Sequence, residues 1–318
     1  MSPARSAHPV ASLVIPSYRG ADRLPVLLEA LARQDTDDFE ALVVVDGRVD
    51  DSPALVEAAA AAGVPVRALV LEKNQGRVAA LNAGFNTARG EVLVRCDDDL
   101  EPGPDYVSGH IARHRAAPSP IGVVGLTRDV LPNNAYARAY GRTRVRRSLA
   151  DSYAGVVPPW RHWAANCSVT RATWERLGGY DPAYQHYGWE DVDYGYRLHT
   201  AGIAVVLAPE LETLHHGAAT SARSRTLRAY HSGAARRTFD ALHSQALPAP
   251  TAGDGWWAAL VGTVERLGAE GRFEALASRI DQALPLVPTP VGEKLVALAV
   301  ESAALAGYAH AESVVARF

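Results

Sequence analysis

The sequence is poor in features that would identify a secreted or membrane-spanning protein. Cysteine occurs twice in 318 residues, as Cys96 and Cys167, which is too few for a disulfide framework and favours a reducing compartment. No apolar stretch approaches the roughly 20 residues of a membrane-spanning helix, and the amino-terminal segment lacks the apolar run of a signal peptide. The sequence therefore predicts a cytoplasmic protein, with peripheral contact at the inner membrane face as the alternative.

Excess charge and phosphate-binding glycine motifs are missing as well. With 32 basic and 35 acidic residues the formal net charge is −3, so we expect no nucleic-acid partner, which would require a basic surface. The segment after the first apolar run reads IPSYRGADRL, without G-x-G-x-x-G, and no G-x-x-x-x-G-K-[ST] occurs. A dinucleotide-binding protein is thereby excluded, and a phosphate-bearing ligand would need a metal held by acidic residues.

Short β-rich runs alternate with amphipathic segments from residue 11 to about 126. Strands are predicted at 12–18, 39–47, 64–72, 91–96, 120–127 and, later in the chain, 203–210. The segments between the first four strands have helical patterns, which implies βαβ crossovers. The sequence therefore predicts an α/β fold, with a Rossmann-like, mainly parallel sheet covered by helices on both faces.

Three adjacent carboxylates follow the fourth predicted strand in VLVRCDDDLEPG, at Asp97, Asp98 and Asp99. They repel one another, so they either form a solvated acidic turn or surround a cation. Ligands of such sheets bind beyond the carboxyl ends of the strands. The first two strands also end in polar residues, at Ser17-Tyr18 and Asp46-Gly47. This convergence at one edge favours a cation site.

The remainder of the chain predicts two further regions. Residues 133–162, with five arginines between Arg138 and Arg147, are predicted to form an irregular, mobile basic loop that meets a diphosphate, anionic lipid or only solvent. A linker rich in Pro, Gly and Ala at 243–255 separates a domain at 1–242, with halves at about 10–127 and 128–242, from residues 256–318. That last segment predicts three or four helices, a small all-helical region that would mediate homo-oligomerisation or contact with a protein partner.

Four segments together resemble the inverting family 2 glycosyltransferases of the GT-A fold. They are SLVIPSYRGADRL, ALVVVDGRVDDS, EKNQGRVAALNAGFNTARGEVLVRCDDDL and GGYDPAYQHYGWEDVDYGYRLHTAG. Their order and spacing carry the resemblance, which covers approximately residues 11–220. It implies the GT-A fold, a nucleotide-sugar donor, a divalent metal, and a carbohydrate or similar hydroxyl acceptor.

On the donor side, we expect contacts from Pro16, Tyr18, Asp46, Asn74, Arg77, Asp97 and Asp98, with a solvated arginine at a helix start as the alternative for Arg77. Asp46 matches the carboxylate that accepts from the uracil of a UDP-sugar, and Asp97 matches the position on the ribose side. Two departures affect base recognition: Val45 stands where a second acid is common, and Arg48 where a small hydroxyl residue is common. UDP is therefore expected from the family's pattern alone.

For the metal, the resemblance implies that Asp99 coordinates a divalent cation bridging the diphosphate. Related enzymes supply a further ligand from a histidine, which in LETLHHGAATS is His215, with His216 as the alternate. An imidazole ligand favours Mn²⁺ over Mg²⁺. A cation held by few carboxylates and by phosphate oxygens stabilises a departing diphosphate as a Lewis acid.

On the acceptor side, Glu190, Asp191 and Asp193 in YGWEDVDYGYRL all qualify by type as a general base, although a helix start alone also favours acids. The resemblance implies Asp191 as the base, Glu190 as an acceptor ligand and Trp189 as a stacking surface for sugar. Asn166 is a further candidate for a sugar contact. The sequence predicts a metal-dependent inverting glycosyltransferase. The alternative is a nucleotide-sugar-binding scaffold, or inactive transferase, whose helical tail binds a partner.

Overall fold

The computed structural model of the chain describes residues 9–185, 187–244 and 246–314. The start of the segment used for the signal-peptide expectation, one residue of the predicted linker and the last four residues of the helical tail lie outside these ranges. The chain divides into two compact units. The first comprises Met1–Val130, Asp151–Pro182 and Asp191–Gly217, and the second comprises Leu131–Ala150, Ala183–Glu190 and Ala218–Phe318.

The described residues of the first unit contain ten strands. They are β1 (Ala11–Ser17), β2 (Phe39–Asp46), β3 (Val66–Leu71), β4 (Val92–Cys96), β5 (Leu100–Glu101), β6 (Ile121–Val124), β7 (Thr127–Asp129), β8 (Asn166–Thr170), β9 (Ala204–Leu207) and β10 (Thr213–His215). Seven form one sheet in the order β3-β2-β1-β4-β8-β6-β9, and β5-β10-β7 form a second sheet. In the large sheet, β8 pairs antiparallel with β4 and β6, and the other neighbours are parallel. The prediction of a mainly parallel sheet is confirmed.

Eleven α-helices occur in the described part of the chain. They are α1 (Leu24–Ala32), α2 (Ser52–Ala61), α3 (Arg77–Thr87), α4 (Tyr106–Ala116), α5 (Arg142–Tyr153), α6 (Arg171–Leu177), α7 (Glu190–Thr200), α8 (Ala222–Leu242), α9 (Gly255–Glu265), α10 (Glu270–Ala283) and α11 (Thr289–Ala309). Among these helices, none combines the length and the apolar character that crossing a membrane requires. The predicted C-terminal helical region is confirmed in α9, α10 and α11.

Strand β2 shows why the sequence forms this sheet. All eight of its residues, FEALVVVD, are buried, which is typical of a parallel strand covered on both faces. The leucines of α1, including Leu24, Leu27 and Leu31, join the same apolar core. The polar residue Asp46 comes at the end of β2 and is itself only 3% exposed. The apolar strand thus carries its one acidic end residue to the carboxyl edge of the sheet.

The sequence analysis missed the short strands β5, β8 and β10. Each has five residues or fewer, which is too short for an alternating pattern to stand out. Strand β8 reads NCSVT, and its mixture of polar and apolar residues hides its burial between two neighbours. The strand predicted at 120–127 is divided, with β6 in the large sheet and β7 in the small one.

The prediction of an irregular basic loop at 133–162 was wrong. A π-helix at Ala137–Gly141 continues into α5, so the five arginines of this region lie on helix. Arginine is a good helix former, and neither proline nor glycine interrupts α5. Arg142, Arg144, Arg146 and Arg147 are exposed on it.

In the second unit, α8 and α11 approach each other at two glycines. A Cβ atom on Gly233 would overlap the carbonyl oxygen of Ala304, and a Cβ atom on Gly307 would overlap the carbonyl oxygen of Tyr230. Because glycine has no side chain, the two helix backbones can come this close. Helix α8 precedes the segment predicted as a linker and belongs to the same unit as α9, α10 and α11.

Candidate active site

Asp98, the middle residue of the acidic triplet, holds the loop after β1. Its Oδ2 accepts from Ser17 Oγ at 2.7 Å, and its two oxygens accept from Arg23 Nε at 2.9 Å and Nη2 at 2.7 Å. Arg23 also donates to the Tyr18 carbonyl oxygen at 3.0 Å. Burial raises the pKa of Asp98, and the ion pair with Arg23 opposes the rise. Both oxygens are thus engaged within the chain, and a contact of Asp98 with a nucleotide sugar stays a prediction.

Asp46 fixes the start of α3. Its carboxylate accepts from the backbone N–H groups of Gln75 at 2.7 Å and Gly76 at 2.8 Å, directly before Arg77 begins the helix. Burial raises the pKa of Asp46, and these two bonds oppose the rise. A carboxylate has about four acceptor positions, so Asp46 retains capacity to accept from a base ring.

The other donor-side candidates surround these loops. Pro16 is half-buried and pairs in register with Val44 of β2. Tyr18 is half-buried, with the guanidinium carbon of Arg19 at 5.3 Å from its ring centroid. Asn74 is exposed in the segment between β3 and α3. Their contacts with a nucleotide stay predictions.

Arg95, which the sequence analysis did not single out, connects two of the predicted acids. It lies in β4 with 0% exposure. Its Nε donates to Asp97 Oδ1 at 2.7 Å and its Nη2 donates to Asp97 Oδ2 at 3.1 Å. Its Nη1 donates to Oδ1 of Asp191, the first α7 residue of this unit. Two residues from distant parts of the sequence, the first acid of the triplet and the candidate base, therefore share one guanidinium.

The charges around Arg95 act differently on the two carboxylates. Burial raises the pKa of Asp97, but the charges of Arg95 and Arg77 outweigh it and hold the pKa below its usual value. Burial also raises the pKa of Asp191, where the charge of Asp97 adds to the rise and Arg95 opposes it, so that the pKa stays above its usual value. Of the two, Asp191 is the better proton acceptor, since a base works best with a pKa near the working pH.

His215 lies between two carboxylates because β10 pairs with both β5 and β7. Its Nδ1 is 2.6 Å from Oδ1 of Asp129, its register partner, and its Nε2 is 3.4 Å from Oδ2 of Asp99. Burial lowers the pKa of His215, but the bonds with Asp129 and Asp99 outweigh it and raise the pKa to about 10. His216 pairs instead with Glu101, at 2.8 Å. The sequence analysis did not identify Asp129 as a partner of the candidate ligand.

Asp99 and His215 suit a site in which a bound cation displaces the imidazole proton, because a histidine that ligates a metal is neutral. Oδ1 of Asp99 is buried and has no hydrogen-bond partner in the part of the chain that the structure describes, which a bound cation would correct. Over the same residues, no group of three or more His, Cys, Asp or Glu is arranged to hold a metal alone. Two protein donors fit a divalent cation whose other ligands are phosphate oxygens and water.

Two acceptor-side candidates belong to the second unit. Trp189 has a positive φ of 45° and is half-buried. Its Nε1 donates to Ser232 Oγ at 3.1 Å, and the guanidinium carbon of Arg236 lies 4.5 Å from its ring centroid. Glu190, at the start of α7, is 2% exposed. The stacking of Trp189 on a sugar and the bond of Glu190 to an acceptor stay predictions.

Asn166 uses its amide inside the first unit. Its Nδ2 donates to the Leu211 carbonyl oxygen at 2.7 Å, and its Oδ1 lies 3.1 Å from His110 Nε2. Ser168 Oγ lies 2.8 Å from both His110 Nδ1 and His114 Nε2. Burial lowers the pKa of His110 to about 3 and the pKa of His114 to about 4. With 1% exposure, Asn166 joins a buried uncharged cluster, and its predicted sugar contact stays a prediction.

Comparison with known proteins bears on the family and the fold. Residues 12–162 match the profile of glycosyl transferase family 2. The chain is 30% identical over 237 residues to validoxylamine A glucosyltransferase of Streptomyces hygroscopicus subsp. jinggangensis, covering 65% of this chain and 56% of the relative. It is 37% identical over 131 residues to an undecaprenyl-phosphate 4-deoxy-4-formamido-L-arabinose transferase of Pseudomonas fluorescens, covering 40% and 38%. The chain thus spans little more than half the length of these curated relatives, or less.

Solved structures agree in fold. A mannosyltransferase from Pyrobaculum calidifontis, in complex with GDP-Man and Mn²⁺, superposes with a TM-score of 0.62 at 19% identity, over 95% of this chain and 88% of that one. GalNAc-T7 with UDP, GalNAc and Mn²⁺ superposes with a TM-score of 0.52 at 16% identity, over 76% and 52%. At these identities the likeness is one of fold.

Proposed function

We propose that the chain is a metal-dependent inverting glycosyltransferase, because residues 12–162 match the profile of glycosyl transferase family 2 and the fold is that of GT-A glycosyltransferases. The donor is a UDP-sugar or another nucleoside diphosphate sugar, and the acceptor is a hydroxyl of a carbohydrate or related molecule. The names of the relatives and the ligands of the solved neighbours support a sugar transfer of this type.

The observation that carries the proposal is the shared guanidinium of Arg95. It joins Asp97, at the donor end of β4, to Asp191, the candidate base. A transferase needs its base close to the point where the donor's diphosphate leaves. One side chain spans that distance here, so the donor and acceptor chemistries are adjacent.

The positions of these side chains support the following reaction. The Asp191 carboxylate takes the proton of the acceptor hydroxyl, and the hydroxyl oxygen attacks the anomeric carbon opposite the diphosphate. The bond from that carbon to the diphosphate oxygen breaks, its electron pair leaves with the nucleoside diphosphate, and the anomeric configuration inverts. The raised pKa of buried Asp191 suits it to this proton transfer.

Asp99 and His215 would hold the metal, with Asp129 orienting the imidazole. When bound there, a divalent cation supplies Lewis-acid stabilisation of the departing diphosphate. An imidazole donor beside a carboxylate favours Mn²⁺ over Mg²⁺. His216 is the less suitable alternate because Glu101 already engages its Nε2.

The remaining contacts are assigned by side of the site. Donor binding is assigned to Pro16, Tyr18, Asp46, Asn74, Arg77, Asp97 and Asp98, and acceptor binding to Trp189, Glu190 and Asn166. Arg77 suits its role because its positive charge already acts on both Asp97 and Asp191.

Location and partners complete the proposal. A cytoplasmic protein accords with its two cysteines, which are free, buried thiols. Contact with the inner membrane face is supported by the exposed arginines of α5 and by a relative named for undecaprenyl phosphate. Protein partners or a second copy would use the C-terminal helices, where Trp256 is 72% and Leu286 is 86% exposed.

Calorimetry with UDP, in the presence and absence of Mn²⁺, tests the donor site directly. We expect binding that depends on the metal, followed by transfer from at least one member of a panel of nucleoside diphosphate sugars. NMR of the product should show an inverted anomeric configuration. Metal-dependent binding without any transfer would instead support the inactive-transferase alternative, and the absence of metal-dependent binding would contradict the proposal.

A further inference from the structure

We propose that Arg95 is a positioning residue that holds the base Asp191 and the donor-side Asp97 in one fixed arrangement. The inference rests on the proposed function, in which Asp191 accepts the proton of the acceptor. Arg95, a residue inside strand β4, would then connect the donor side of the reaction to the acceptor side without touching either substrate.

The location of Arg95 calls for such a role. It lies between Val94 and Cys96 in a buried strand, in register with Val14 on one side and Cys167 on the other. A buried guanidinium is unfavourable unless carboxylates pair with it, whereas an apolar residue of similar length would pack here without that penalty. An arginine at this point is therefore explained by the two carboxylates that it binds.

The bonds of Arg95 determine which carboxylate oxygen remains available. Asp97 receives both Nε and Nη2, and this two-point contact fixes the plane of the guanidinium. Nη1 is then aimed at Oδ1 of Asp191. Within the described residues Oδ2 of Asp191 makes no hydrogen bond, and its side chain is 12% exposed. Arg95 thus occupies one oxygen of the base and leaves the other to meet the acceptor hydroxyl.

Removing Arg95 should also change the charge state of the base. The titratable and charged groups around Asp191 are Arg95, Arg77, Asp97, Tyr180 and Cys167. Arg95 donates a hydrogen bond directly to the Asp191 carboxylate. Without Arg95, the anionic form of Asp191 loses its bonded partner while Asp97 still repels it, so the pKa of the base increases. The acidic limb of the pH–activity profile should therefore move to higher pH, by about one to three pH units.

A double-mutant cycle on the metal-free protein tests the link without using activity. The variants are Arg95→Met, Asp191→Asn and their combination, compared by urea denaturation. If the two residues are coupled, Asp191→Asn should destabilise the wild type but stabilise, or leave unchanged, the Arg95→Met protein, where it removes an unpaired buried charge. Additive losses would overturn the proposal. If Arg95→Met does not fold, Arg95→Lys takes its place in the cycle.

Kinetics then separate positioning from folding. Arg95→Met should lower kcat by about 100-fold, as expected when a base is misplaced. It should also move the acidic limb of the pH–activity profile to higher pH. Arg95→Lys should return the acidic limb most of the way to its wild-type pH, because an ammonium keeps the charge. It should not restore kcat, because the planar guanidinium is lost. If Arg95→Met kept the wild-type kcat and the wild-type pH of the acidic limb, the proposal would be contradicted.

Arg197→Met is the matched control for these measurements. Arg197 donates to Asp193 at 2.8 Å on the same helix as Asp191, but it does not contact Asp97 or Asp191. The loss of Arg197 should lower stability but leave the acidic limb of the pH–activity profile at its wild-type pH. A shift of that limb as large as in Arg95→Met would count against a specific role for Arg95. If the wild-type protein transfers no sugar, the proposed function is refuted, but the coupling between Arg95 and Asp191 is still tested by the denaturation cycle.

Discussion

Two arginine–carboxylate clusters lie at opposite ends of the strands of the large sheet. Near the amino ends, Glu40 of β2 accepts from Arg89 Nη2 at 2.8 Å and from Ser12 Oγ at 2.8 Å, with Arg67 at 3.4 Å. Near the carboxyl ends the ratio of arginines to carboxylates is reversed, because the single buried Arg95 pairs with the two carboxylates of Asp97 and Asp191. In the first cluster two guanidinium groups face one carboxylate, and in the second one buried guanidinium is hydrogen-bonded to two carboxylates.

This difference separates a structural cluster from a reactive one. Burial raises the pKa of Glu40, but Arg89 and Ser12 outweigh it and hold the pKa below its usual value, so the carboxylate stays ionised and fully paired. Burial raises the pKa of Asp191 above its usual value, and the charge of Asp97 adds to the rise while Arg95 opposes it. Buried charged groups are unfavourable for folding even when paired, and their retention at the strand ends fits a use in binding and proton transfer.

The strongest way to test this contrast is to neutralise the base. Asp191→Asn should lower kcat by about 10²- to 10⁴-fold, the usual contribution of a general base. Mn²⁺-dependent UDP binding should persist, because Asp99 and His215 are unchanged. Steady-state kinetics and calorimetry on the same preparation measure the two effects. Normal turnover in this variant would refute the role of Asp191.

At the same end of the sheet, Asp129→Ala should weaken Mn²⁺-dependent UDP binding by about 10- to 100-fold, as is typical when the partner of a ligating histidine is lost. The reason is that Asp129 orients His215 through Nδ1. Glu101→Ala is the control, because Glu101 bonds to His216 instead. Calorimetry should find its affinity near that of the wild type. A loss in Glu101→Ala but not in Asp129→Ala would assign the ligand role to His216, and equal losses would contradict a specific role for Asp129.

The cluster near the amino ends should affect stability alone. Glu40→Gln should lower the free energy of unfolding by roughly 2 kcal/mol, because charge-assisted bonds to a buried carboxylate are lost, and should leave kcat unchanged. Glu29→Gln, at a side chain 73% exposed and bonded to Arg33 one turn away, is the control. It should change stability by less than about 0.5 kcal/mol. A drop in kcat for Glu40→Gln comparable with that of Asp191→Asn would remove the contrast between the two ends.

The uncharged cluster of His110, His114 and Ser168 should make the stability of the protein depend on pH. Burial holds the pKa of His110 at about 3 and the pKa of His114 at about 4, while both titrate near 6.5 in an unfolded chain. The unfolded chain therefore takes up protons first as pH falls below 6.5, and stability decreases by up to about 1.4 kcal/mol per pH unit for each histidine. Urea denaturation between pH 7 and pH 5 measures this slope.

His114→Asn is the variant for that measurement. It should flatten the dependence on pH, since one of the two groups that bind protons only after unfolding is gone. An unchanged slope would mean that other groups determine the acid sensitivity.

Much of the fold could be predicted because long apolar runs dominate it. The four strands β1 to β4 agree with the predicted strands to within two residues at each end, and helices lie between them as predicted. The short strands could not be predicted, since pairing between distant segments creates them. The helix in the basic region was missed because charge was taken as a sign of irregular structure, although arginine favours helix.

The candidate site divides in the same way. The acidic triplet, Asp191 and His215 carry motifs that can be read along the chain. Asp129 and Arg95 act through three-dimensional contacts, and only Arg95 left a signal, as a charged residue in the otherwise apolar run EVLVRC. Their roles depend on the register of β7 with β10 and on the packing around β4, which no local pattern encodes.

The position of β8 has a consequence for how the protein can be divided in the laboratory. Similarity to the family profile ends at residue 162, yet β8 begins at Asn166 and inserts between β4 and β6. A fragment truncated where the similarity stops would leave both of those interior strands with bare edges, each offering unpaired N–H and C=O groups to other molecules. Such a fragment should aggregate on expression, because the border of homology falls inside a cooperative folding unit.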